Sequence, residues 1–203
     1  MSNPTDADRQ AAAAAEYLAL ADLLGSQPEA AWDTQSLCED WRVREVVAHM
    51  TMPVRYTMEQ FGAELQACEG DFTRLSNTIA SRDAALPVDA LVGNLRDEML
   101  HAWTPPGGGS TGALNHAVIH GLDITVPLGV GRQASDETIR TVLEDLTEGG
   151  THAHFGFDLR GIQLQATDID WSYGSGTPIR GEAGDLAAFV CGRTLPVGRI
   201  DGI

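Results

Sequence analysis

The chain has 203 residues, 43% hydrophobic and 21% charged, which gives one domain, or one domain with an appendage, enough apolar material for a core. Twenty-nine acids against 13 basic residues, all of them arginine, set the formal charge at −16; this argues against a phosphate-backbone partner, and the absence of lysine excludes Schiff-base chemistry on that side chain. No run reaches the roughly 20 apolar residues that span a bilayer, so no membrane partner is expected. The alanines at 11–15 lie in an acidic stretch without the basic start of an export signal, so the expected location is the cytoplasm. Three cysteines, Cys38, Cys68 and Cys191, are odd in number and widely spaced, and read as small buried thiols.

In chain order, alanines and leucines at helical spacing predict a first helix over about 6–24, stopped by Gly25. Residues 41–66 read as a long second helix with Val43, Val46, Val47 and Met50 on one face, Asp40 as its N-cap, and a kink or break at Pro53. A third helix is predicted over 88–103 through Leu91, Leu95, Met99 and Ala102, and the Pro- and Gly-rich stretch 104–112 is a loop. A fourth helix runs from about 113 to 126, and a fifth from Ser135, a good N-cap, to Glu148. Beyond Gly150 the pattern alternates over 161–169, continues as a turn or short second strand through 170–176, and closes with a helix over 182–192. The expected fold is mainly α: an antiparallel helix bundle over residues 1–150, with a small αβ part over 151–203 packed on it.

The chemistry concentrates on histidine. His116 and His120 lie four apart, so on a helix they share a face at about 5–6 Å. His49 lies on the inward side of a different predicted helix. Together the three would supply the three-ligand set of a catalytic divalent metal, leaving one position for an exchangeable ligand. Three imidazoles leave the metal's positive charge undiminished, which lowers the pKa of a water or thiol placed there. A satisfied core histidine is the alternative for each ring taken singly. His101, and His152 and His154, which stand two apart between elements, are weaker candidates. Asp123, three after His120, is either an outer partner of that ring or an ordinary helix-end residue.

Three stretches in order resemble the mycothiol-dependent maleylpyruvate isomerase family of the DinB-like superfamily: Ser36-Leu-Cys-Glu-Asp-Trp-Arg-Val-Arg-Glu-Val-Val-Ala-His49, His116-Ala-Val-Ile-His-Gly-Leu-Asp-Ile, and Gly181-Glu-Ala-Gly-Asp-Leu-Ala-Ala-Phe-Val-Cys-Gly-Arg193. The resemblance implies a DinB-like four-helix bundle with a small C-terminal αβ extension. It also implies an actinobacterial source, a divalent metal (zinc in the first instance) on His49, His116 and His120, and mycothiol as cofactor. The implied enzyme activates a low-molecular-weight thiol for isomerisation of, or transfer to, a small electrophile. Two departures stand out: the isomerase has Glu where this chain has His116, and the family often has Thr where Arg42 stands. Arg55 and Arg193 are the candidate cationic clamps for an anionic substrate or thiol. Arg193 belongs to the family's Gly-Arg ending, and either anchors the tail or touches ligand. Tyr56, seven after His49, shares its helix face and lines either the pocket or the core. The rival readings are a thiol-independent metal-dependent hydrolase or lyase, and a non-catalytic metal-binding protein. Partners are expected to be small molecules, with the chain a monomer or a homodimer.

Overall fold

The computed structural model describes residues 4–150 and 155–202 and is mainly helical, with a small C-terminal sheet. It separates into two compact units, Thr5–Val130 and a C-terminal one starting at Gly131.

The first unit begins with α1 (Asp6–Gly25). Thr5 caps it in a reciprocal box with Asp8, and Tyr17, Leu20, Ala21 and Leu24 form its buried stripe. The predicted long second helix is three: α2 (Val43–Met50), α3 (Met52–Arg55) and α4 (Met58–Ala67). The first interruption falls at Thr51, just ahead of Pro53, whose ring cannot continue the hydrogen-bond ladder; the second comes at Tyr56, in extended conformation, after which Thr57 caps α4. Arg42, not Asp40, occupies the N-cap of α2. The Glu45 carboxylate accepts the Arg42 backbone N–H at 2.9 Å, so the box is closed by the acid of the first turn.

Next come α5 (Phe72–Asp83), α6 (Val88–Leu95), α7 (Glu98–Ala102) and α8 (Gly109–Thr125). The sequence reading passed over α5, whose inward face is just Leu75, Ser76, Ile79 and Ala80. The predicted third helix divides at Asp97, whose side chain accepts the Met99 N–H and starts a new turn. Helix α8 starts four residues ahead of the expected position, inside the glycine run. α1 packs on α8, α6 and α7, and α2 packs on α5, α8 and α6, so α1, α2, α5 and α8 form the four-helix framework.

In the C-terminal unit, α9 (Asp136–Thr147) is capped by Ser135 as expected. Strands β1 (Ile162–Ala166), β2 (Ser172–Gly174), β3 (Thr177–Gly181) and β4 (Ile200–Asp201) form a sheet in the order β2-β1-β3-β4. β2 folds back antiparallel on β1, with Leu164 opposite Tyr173, while β3 runs parallel to β1, with Leu164 opposite Ile179. Gly176 makes the tight return possible: its φ is +131° and a Cβ there would sit 2.1 Å from the Gly161 carbonyl oxygen. α10 (Ala183–Val190) packs on α9 and the sheet, which draws α9 into this unit and moves the break in the chain from the expected 150 to 130. Asp168 accepts the Ala183 N–H at 2.7 Å and fixes the start of α10.

Candidate metal centre

His49 sits near the end of α2, and His116 and His120 lie one turn apart on α8, which packs against α2. Their ring centroids are 5.3 Å (49–116), 4.9 Å (49–120) and 4.8 Å (116–120) apart. One ligand nitrogen from each lies within 4.8 Å of the others, and the Nε2 atoms of His49 and His116 are 3.4 Å apart. The spacing of four on α8 is what aims two rings at one point. The third ring arrives because the apolar face of α2 (Val43, Val46, Val47 and Met50) is buried, carrying His49 inward with it.

The outer partners fix which nitrogen faces the shared point. His120 Nδ1 is 2.9 Å from Asp123 Oδ2, and the Asp123 side chain has no solvent exposure. A carboxylate there holds Nδ1 protonated and leaves the Nε2 lone pair free. His116 Nδ1 lies 3.1 Å from the Tyr17 hydroxyl of α1; with Nε2 turned inward, Nδ1 carries the proton and donates it to Tyr17. Burial, with His120 nearby, holds His116 well below the ordinary imidazole range, so that ring is neutral and able to donate its lone pair. Burial also raises the Tyr17 phenol and keeps it un-ionised. Three imidazoles converging from two helices, with His116 and His120 oriented by outer hydrogen bonds, are a donor set that fits a divalent metal.

Sequence reasoning did not pick out the surroundings of these rings. The Trp41 ring lies 4.8 Å from that of His49 and 6.3 Å from that of His120, and the Trp103 ring stands 5.3 Å from His116. The Cys38 thiol donates to Asp123 Oδ2 at 3.1 Å. The loop that carries Cys38 and Trp41 is held by its own polar groups. Gln35 Nε2 reaches the carbonyls of Cys38, Glu39 and Trp41; Ser36 Oγ donates to the Trp41 carbonyl at 2.6 Å; the Leu37 N–H bonds the Asp123 carbonyl. Trp103 is placed by Gln10, whose side-chain amide donates to the carbonyls of His101 and Trp103. These bonds join residues up to 93 apart in the chain, which no local pattern displays.

Other candidates fall elsewhere. Arg55 donates from Nε to Asp83 at 3.0 Å, from Nη1 to Thr51 Oγ1 and from Nη2 to the Ala48 carbonyl, so its guanidinium closes the end of α2 next to His49. The Tyr56 hydroxyl donates to Asp83 at 2.7 Å and accepts from Arg82; its ring packs on Met52, Cys68, Leu75 and Ile79, and burial raises its pKa. The structure thus brings Arg55 and Tyr56 together on Asp83. Arg193 belongs to the C-terminal unit, where its N–H bonds the Ala188 carbonyl while Gly192, with φ +77°, bonds that of Phe189, a Schellman stop for α10. His101 Nε2 is bonded to the Leu95 carbonyl. His152 and His154 lie outside the described residues. Among the described residues, no helix is long and apolar enough to cross a membrane.

Comparison with known proteins agrees with the fold. No curated protein matches the chain. Two solved structures share its fold: the mycothiol-dependent maleylpyruvate isomerase, with a TM-score of 0.64, and a histidine-to-alanine mutant of it, with 0.60. Each is 15% identical, and the alignments cover 96% of this chain and 93% of those. The family model described as "Mycothiol maleylpyruvate isomerase N-terminal domain" matches residues 11–103, a stretch that contains His49 and ends short of His116. Over residues 11–103 the chain is therefore similar to the mycothiol maleylpyruvate isomerase N-terminal domain family, and over nearly its whole length it shares the fold of the isomerase structures.

Proposed function

We propose that this protein is a metal-dependent enzyme that uses a low-molecular-weight thiol, mycothiol by its family, to isomerise a small electrophilic substrate or to transfer the thiol to it. The observation that carries the reading is the convergence of His49, His116 and His120, each of the last two with its far nitrogen engaged by an outer partner. A divalent cation on three neutral imidazoles supplies a full positive charge that favours the thiolate form of a thiol, the nucleophilic form. Zinc is the first candidate, because three nitrogen ligands with a fourth position left for an exchangeable group is its catalytic pattern.

The chain's own residues have distinct parts in this reading. His49, His116 and His120 hold the cation; Asp123 and Tyr17 keep the inner nitrogens unprotonated. Trp41 and Trp103, set against these rings, narrow the access of bulk water. Arg55 and Asp83 brace the end of α2, so that His49 keeps its aim. His116 stands where the family's isomerase has Glu, so the cation here keeps one more unit of positive charge, which favours an anionic thiolate more strongly. The expected place of action is the cytoplasm, where such thiols are kept reduced.

Elemental analysis of the purified protein tests the reading: about one divalent ion per chain is expected, with loss in His120→Ala. Equal metal content in that variant would remove the assignment. Calorimetry of the metal-loaded protein with mycothiol tests the second half; absence of binding heat together with an unchanged metal spectrum would exclude thiol chemistry and leave a metal-water enzyme.

A further inference from the structure

Asp123 Oδ2 is shared by two donors, the Cys38 thiol at 3.1 Å and His120 Nδ1 at 2.9 Å. The Cys38 sulfur, a His120 ring nitrogen and an Asp123 oxygen lie within 4.8 Å of one another, a second constellation of ligand atoms on the outer side of the His120 ring. It contains the one thiol of the three that is part-exposed; Cys68 and Cys191 are buried. Its carboxylate is fully buried.

We propose that Cys38, His120 and Asp123 form an alternative, thiolate-containing metal position that takes thiophilic divalent cations, with Cd²⁺ as the model, in exclusion of the three-histidine position. Around a tetrahedral cation with metal–nitrogen and metal–oxygen bonds near 2.0 Å and a metal–sulfur bond near 2.3 Å, ligand atoms stand roughly 3.3–3.6 Å apart. The present hydrogen-bond distances fall short of that by about half an ångström, which rotation about the side-chain bonds provides. The proton balance is simple. Cation entry releases the thiol proton to solvent, and the His120 proton moves by way of solvent from Nδ1 to Nε2, so that Nδ1 and the sulfur each offer a lone pair. With Nε2 protonated, His120 no longer serves the inner set, so the two positions share one ring and one of them fills at a time. A sulfur ligand and a carboxylate in place of two imidazoles lower the charge of the complex and shift its preference from borderline cations toward soft ones.

This proposal goes beyond the thiol-enzyme reading and shares with it His120 and the carboxylate that orients it, Asp123. The experiment is a Cd²⁺ titration of metal-free protein, followed through the thiolate-to-cadmium charge-transfer band in the ultraviolet. The wild type is expected to develop the band and saturate at about one ion per chain. Cys38→Ser is expected to lose the band yet still take up one Cd²⁺ on the three histidines. His49→Ala, with His116→Gln as a second variant should the first misfold, is expected to keep the band. No band in the wild type, a band that survives in Cys38→Ser, or a band lost in a folded His49→Ala would each overturn the proposal. Co²⁺ binding to the same variants reports on the three-histidine site separately, because its visible spectrum should depend on His49 and His116 and be indifferent to Cys38.

Discussion

A single carboxylate illustrates how much depends on side chains outside the three-histidine set. Asp123 is fully buried, accepts from two donors, and orients a ring whose opposite nitrogen faces the other histidines. Asp123→Asn keeps the shape but loses the charge that fixes the tautomer, and is expected to weaken divalent-metal binding roughly 10–100-fold in competition titrations against a chelator. Arg55 and Asp83 are almost equally shielded, and removing the guanidinium leaves the carboxylate with only Tyr56 and the more exposed Arg82. Arg55→Ala is therefore expected to cost about 3 kcal/mol in denaturant unfolding, through the loss of a shielded ion pair and of the Ala48 carbonyl's partner. Asp185 gives a pH signature. Burial raises its pKa, Arg199 pulls the other way, and Glu182 and Asp168 add to the rise. With the folded value above the unfolded one, its contribution to stability is present below the ordinary carboxylate range and is lost as pH rises through the folded value. Asp185→Asn should flatten that part of a plot of melting temperature against pH.

Among the elements, those with a strong apolar period were legible and those defined by polar punctuation were not. α1 and α9 carry their stripes openly in sequence, and α9 its cap at Ser135, so both lie within a residue or two of the expected bounds, while the Thr5 cap of α1 goes unread. α5 was missed because Leu75 and Ile79 stand among Thr, Arg, Ser and Asn, so burial comes from its neighbours on α2 rather than from its own pattern. The division of the long second helix was half-legible: Pro53 announced one break, while the second depends on Tyr56 taking an extended conformation. β3 and β4 were not anticipated, since five and two residues are too short for alternation to register. For the candidate site, His116 and His120 declared themselves by spacing, and Asp123 by its offset of three. Cys38, Trp41, Tyr17 and Trp103 gave no local signal, because each reaches the rings through a loop or from another helix. Two substitutions test these elements. Gln35→Ala strips one amide from the carbonyls of Ser36, Cys38, Glu39 and Trp41 and is expected to loosen the loop 35–42 by about 1–3 kcal/mol in thermal unfolding. Gly192→Ala places a side chain at φ +77°, beyond the end of α10, and is expected to cost about 1 kcal/mol.

At the scale of the whole chain, a formal charge of −16 on 203 residues is a store of self-repulsion. Raising ionic strength from about 0.01 M to about 0.15 M shortens the screening length from roughly 30 Å to roughly 8 Å, so the melting temperature is expected to rise over that interval. A flat response would mean that local ion pairs, such as Arg42 with Asp33 and Glu45, already balance the field. A different consequence follows from where the imidazoles sit along the chain. His49 and His116 are 67 residues apart, so an ion held by both acts as a removable staple that closes a long loop across α2 and α8. Loops of that length carry a large closure entropy in the unfolded chain, and an ion that binds only the folded form stabilises it by mass action. Chelation should then do more than silence chemistry. Amide hydrogens of α2 and α8 would exchange faster, while those of α9 and α10, in a unit that contributes no ring to the staple, would keep their pace.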